Sequence, residues 1–223
     1  MSIKENLNYI KNQLPENVTL VAVSKTKPVS DIQEAYNTGQ RVFGENKIQE
    51  MTSKWEVLPK DIEWHMIGHV QRNKIKYMAE YVTLIHGIDS FKLLKEVNKQ
   101  ALKHNRIIDC LLQMKIAQEE TKFGMTQDEV IKLIKSEELK ELKNINIVGL
   151  MGMATFTNNS NQIASEFKTL KKYFEKFKIH TTENCHLKTI SMGMSGDYKL
   201  AIENGSNMVR VGSSIFGVRK YTT

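Results

Sequence analysis

Eight short apolar runs, each followed by a stretch of helical period, restrict the fold of this 223-residue chain more than any other feature. They read TLVAVS (19 to 24), RVFGEN (41 to 46), EWHMIG (63 to 68), VTLIHGI (82 to 88), DCLLQMKI (109 to 116), IVGLMGM (147 to 153), KTISMGM (188 to 194) and NMVRVG (207 to 212). Of the intervening segments NQIASEFKTLKKYFEKF is the clearest: Ile163, Phe167, Leu170, Phe174 and Phe177 fall on one helical face. Ile3, Leu7, Ile10 and Leu14 open the chain in the same way. Repeated strand-helix alternation means parallel strands, because each crossover must return the chain to the same end of the sheet. An open doubly wound sheet and a closed barrel both satisfy that rule. No GxGxxG follows the first strand, which removes the main support for a dinucleotide-binding open sheet. The length suits a (β/α)8 barrel. The expected fold is therefore α/β, a single TIM-type barrel, and no linker or composition shift divides residues 1 to 223.

Composition excludes several function classes. The net charge of +7 invites a nucleic-acid reading, yet only five of the 32 basic residues are arginine, and the lysines alternate with glutamates as in KSEELKELK (135 to 143). That pattern is a solvated helix face, so no nucleic-acid partner is expected. The N-terminus carries charges every few residues and lacks the apolar core of a signal peptide, and no stretch is long enough to span a membrane. Cys110 and Cys185 lie far apart without metal-ligand spacing. A cytoplasmic, reducing location and a monomeric state are expected.

The first strand ends in two lysines, Lys25 and Lys27. Alternate side chains share a face, so Val21, Val23 and Lys25 point one way and Leu20, Ala22 and Ser24 the other. Facing inward, Lys25 lies at the C-terminal mouth, where such barrels carry their chemistry. Burial and the neighbouring Lys27 favour a neutral amine there, the form that attacks an aldehyde to make a Schiff base. Facing outward, both lysines simply enter solvent ahead of Pro28.

The last two strands add a second set of candidates. Met194-Ser195-Gly196 and Gly212-Ser213-Ser214 follow strands seven and eight, where small residues let backbone N–H groups approach a phosphate; ordinary capped loops would look the same. On strand eight Met208, Arg210 and Gly212 share the inward face, so Arg210 needs either an internal carboxylate or a ligand acceptor. Asn46, on the face of Gly44, offers the same interior a neutral amide. His65, alone on its strand, reads as a hydrogen-bonded core residue.

Taken together, AVSKTKP, FGENKIQE, EWHMIGHVQRNK, KFGM, GLMGM and SMGMSGDYKLAIENGSNMVRVGSSIFG resemble the family of pyridoxal 5′-phosphate (PLP) homeostasis proteins, relatives of the N-terminal barrel of alanine racemase. The resemblance spans nearly the whole chain. It implies PLP as cofactor, with Lys25 as the Schiff-base residue, Arg210 at the pyridine nitrogen, and Ser195 with Gly212 and Ser213 on the phosphate. Asn46 and Met194 join the same pocket, and Lys122 in TKFG falls near the barrel mouth with no role attached. The implied function is to buffer PLP and deliver it to PLP-dependent apoenzymes, without established catalysis. The rival is a weakly active PLP enzyme such as an amino-acid racemase, which needs a second acid/base group opposite Lys25. In alanine racemase one such group comes from a C-terminal domain, and this chain ends at KYTT just after its eighth strand.

Overall fold

Eight parallel strands close on themselves in chain order, each hydrogen-bonded to the next and β8 to β1. The computed structural model describes residues 2–117 and 123–217. The strands are β1 (Thr19–Val23), β2 (Val42–Glu45), β3 (Glu63–Met66), β4 (Leu84–Ile88), β5 (Ile108–Gln113), β6 (Ile145–Met151), β7 (Cys185–Met194) and β8 (Met208–Val211). All eight expected strands are present. β7 begins three residues earlier than the apolar pattern suggests, and β5 ends at Gln113 because the chain then turns.

The helices are α1 (Ile3–Lys11), α2 (Val29–Asn37), α3 (Ile48–Val57), α4 (Phe91–Lys103), α5 (Gln127–Ile134), α6 (Glu137–Lys140), α7 (Ser160–Lys178), α8 (Tyr198–Glu203) and α9 (Ser213–Phe216), with a 3-10 helix over Arg72–Tyr77. Local chemistry sets several of their ends. Ser2 and Thr126 form capping boxes with Glu5 and Glu129 at the starts of α1 and α5, and Asn159 accepts from the first N–H groups of α7. The five apolar residues spaced along α7 are all buried, and each contributes on the order of 1.5–3 kcal/mol through lost apolar exposure.

Two apolar layers result from the period of two. Leu20, Ala22, Trp64, Val209 and Val211 pack outward against the helices, while Val21, Leu84, Leu111, Val148, Met151 and Met208 fill the barrel. The interior packing belongs to its lower part. Towards the C-terminal end the inward positions turn polar, and there the chain opens a site.

Candidate functional site

The loops after β1, β2, β7 and β8 surround a cavity of about 510 Å³. Lys25, Asn46, Met194, Ser195, Arg210, Gly212 and Ser213 all line it, with Lys27, Met153 and Phe156 nearby. The tertiary structure thus brings together every candidate that the sequence offered, save Lys122, which lies outside the described residues.

Lys25 is half-buried just beyond β1, and both of its neighbours are held from behind by one ion cluster. Lys54 on α3 donates to Glu45 (2.7 Å), Glu50 (2.6 Å) and the carbonyl of Ser24 (2.9 Å). The Ser24 hydroxyl donates to Glu45, and the Thr26 N–H donates to Glu50. Burial pushes the Glu45 carboxyl up, against the opposing pull of Lys54 and Ser24. Thr26 occupies the left-handed region at φ 64°, an uncommon conformation for a β-branched residue. The chain therefore turns sharply after Lys25, and the turn is anchored on the outer face of the barrel. Lys27 does not simply enter solvent: its ammonium donates to the carbonyls of Phe216 (2.7 Å) and Gly217 (3.0 Å) at the end of α9.

On the opposite wall the β7–β8 pairing is irregular. Ser191 pairs with Met208 and Met194 with Arg210, so β7 holds one more residue than β8 over this stretch. Gly193 absorbs the irregularity at φ 95°, where a Cβ would lie 2.6 Å from that of Ala201. The extra residue aims Met194 and Ser195 at the cavity. Ser195 Oγ accepts from the Gly212 N–H at 3.1 Å, tying the two small-residue loops together. Neither loop is merely a side-chain cap, since α8 and α9 begin without one.

Arg210 is buried at the cavity floor, and among the described residues its hydrogen-bond partners are neutral. It donates to Ser191 Oγ at 2.6 Å and to the carbonyl of Gly152 at 3.1 Å. The internal carboxylate that one reading of the sequence allowed is not among them. Burial pulls the guanidinium down to about 10. Behind Ser191, His86 bonds through Nδ1 at 3.0 Å, and His86 Nε2 meets His65 Nδ1 at 3.1 Å. His65 is thus a hydrogen-bonded core residue, as its lone strand position suggested. The participation of His86 and Ser191 went unread, although each sits at an inward parity on a recognised strand. Among the described residues no group of His, Cys, Asp and Glu could hold a metal ion, and no helix is long and apolar enough to cross a membrane.

A closed parallel barrel with an amine at the end of its first strand and small-residue loops after its last two defines a class. The family model described as alanine racemase, N-terminal domain, matches residues 1–220. Curated relatives named pyridoxal phosphate homeostasis protein include one from Aquifex aeolicus, 39% identical over 91% of this chain and 87% of its own length. Another, from Escherichia coli, is 36% identical over 93% of this chain and 88% of its own. The chain belongs to the pyridoxal phosphate homeostasis protein family. The solved structure of PipY from Synechococcus elongatus without PLP superposes with a TM-score of 0.90 at 33% identity, over 97% of this chain and 100% of that one. The same protein with PLP bound gives 0.87. Alanine racemase from E. faecalis, at 16% identity and a TM-score of 0.74, shares the fold over 97% of this chain and 58% of its own.

Proposed function

We propose that this chain binds PLP at Lys25 as a reversible Schiff base, buffers it and hands it to PLP-dependent apoenzymes, with no reaction of its own on amino acids. The observation that carries this reading is the convergence of Lys25, Arg210 and the paired loops of Ser195, Gly212 and Ser213 on one cavity. A relative of similar fold, PipY, is known with PLP bound.

The residues present fit the group. PLP supplies an aldehyde on a pyridine ring that also carries a phosphate arm. Lys25 offers the primary amine. Ser195 already accepts from Gly212, which leaves its hydroxyl proton for a phosphate oxygen, and the Ser213 and Ser214 N–H groups precede the α9 bonds to the Gly212 carbonyl, which begin at Ile215. Arg210 is a donor only, so facing a ring nitrogen it keeps that nitrogen unprotonated and the ring a weak electron sink. Asn46 adds a neutral amide to the wall.

Support for a carrier over a racemase comes from what lines the cavity. Among the described lining residues no tyrosine, histidine, cysteine or carboxylate stands ready as a second acid/base group, and the Lys27 ammonium is engaged with two carbonyls. Exposed Phe156 and Met194 leave the mouth accessible for transfer.

Borohydride reduction of the PLP-loaded protein followed by peptide mapping tests the assignment. A pyridoxyl group on Lys25, and loss of the visible cofactor band in Lys25→Ala, is the expected result. An unchanged band in Lys25→Ala overturns it. An apoenzyme should then recover activity from the loaded protein, and amino-acid racemisation should stay at background.

A further inference from the structure

Four polar side chains from β3, β4, β7 and β8 form an unbroken hydrogen-bond chain through the barrel, and three of them lie beneath the cavity rather than on its lining. His65, His86, Ser191 and Arg210 are 3%, 0%, 0% and 4% exposed. The same space a little lower is filled with aliphatic side chains, which need no hydrogen-bond partners. A connected polar chain in a barrel core specifies orientation more than it adds stability.

Its direction is forced. Arg210 can only donate, so Ser191 Oγ must accept from it. The Ser191 hydroxyl proton, fully buried, then has His86 Nδ1 as its acceptor. His86 therefore carries its proton on Nε2 and donates to His65 Nδ1. Burial keeps both rings neutral: His65 is pushed down to about 3, and His86 well below its ordinary value, with His65 and Arg210 adding to the effect. A neutral His86 can accept the serine proton, whereas a charged one would donate to Ser191 Oγ alongside Arg210 and leave the buried hydroxyl proton without that acceptor.

We infer that His86, acting through Ser191 and backed by His65, is a positioning residue for Arg210: the chain holds one edge of the guanidinium so that its remaining N–H groups face the ligand. This rests on the reading of the cavity as a PLP site. The Gly152 carbonyl fixes a second point on the same group, so the guanidinium plane is set by two anchors, one on β7 and one just past the end of β6. Loss of the Ser191 anchor lets Arg210 turn about the Gly152 carbonyl.

The test compares the native protein with Ser191→Ala, His86→Leu and His86→Asn. The readouts are the PLP dissociation constant, the position of the visible band of bound PLP, and the denaturation midpoint. Ser191→Ala and His86→Leu are expected to weaken PLP binding about tenfold and to move the band. His86→Asn, which keeps an acceptor near the place of Nδ1, should stay within about threefold of native. Folded variants with native affinity and an unmoved band overturn the inference, as does His86→Asn behaving like His86→Leu. Nitrogen-15 NMR of the ligand-free protein gives an independent reading if a variant fails to fold: a protonated Nδ1 on His86 also overturns it. A native chain that takes up no PLP overturns the cofactor reading and this inference together, whereas unaffected variants of a PLP-binding chain overturn the inference alone.

Discussion

The ammonium of Lys27 lies 2.7 Å from the carbonyl oxygen of Phe216, joining the loop after β1 to the end of α9 across the rim of the cavity. Because β1 and β8 are neighbours in the closed barrel, this contact ties the Lys25 turn to the loop carrying Gly212 and Ser213. Lys27→Met should lower stability by about 1 kcal/mol, since the bond to a charged donor is partly exposed to solvent. It should also raise the PLP dissociation rate with Lys25 still modified. Denaturant titration and stopped-flow release measure the two effects, and an unchanged release rate would contradict the tie.

Lys54 is predicted to matter more for stability than any exposed lysine. Its partner Glu45 has a fully buried side chain, and removing the cation leaves that carboxylate uncompensated. Lys54→Met should cost about 3–5 kcal/mol. Adding Glu45→Gln should restore part of the loss, and additive losses in the double variant would show that the pair is not coupled.

Thr26 holds a backbone conformation that glycine adopts freely. Thr26→Gly should therefore be neutral or stabilising by up to about 1 kcal/mol, the relief of strain being offset by the entropy of a freer unfolded chain. The hydrogen bond from residue 26 N–H to Glu50 survives the change. Thermal unfolding of the variant provides the check; a large loss would mean that the threonine side chain itself supports the turn.

The buried histidines predict a pH dependence. A basic group whose folded pKa lies below its unfolded one contributes stability that is whole above the unfolded pKa and is lost as pH falls. His65 moves from 6.5 to about 3, and His86 moves in the same direction. Each should remove up to about 1.4 kcal/mol per pH unit below pH 6.5. Glu45, whose carboxyl burial pushes up, acts in the opposite sense where it titrates above 4.5. Denaturant titrations at pH about 7.5 and about 5.5 should show a smaller acid loss in His86→Asn than in the native protein.

Much of the site was legible because strand parity is local. Arg210 is placed on the inward face by the alternation of its own strand, whereas alternation leaves Lys25 open between the barrel mouth and solvent; in the barrel Val21 and Met208 lie inside and Val209 outside. The irregular β7–β8 register was not legible. Its cause is Gly193 at positive φ, and a glycine between two methionines in SMGM does not by itself announce a bulge. The Glu45–Lys54 pair was also missed, since it joins the outer face of β2 to α3 and depends on how that helix packs.

The sequence by itself determined the succession of strands and helices, the alternation of faces along regular strands such as β8 and the resemblance to a PLP-binding family, because period and motif are carried by neighbours along the chain. Only the tertiary structure decided which of those inward residues meet. His86 and Ser191 are 105 positions apart, and Lys27 and Phe216 are 189. Their contacts exist because the barrel closes, which brings strands distant along the chain within hydrogen-bond reach.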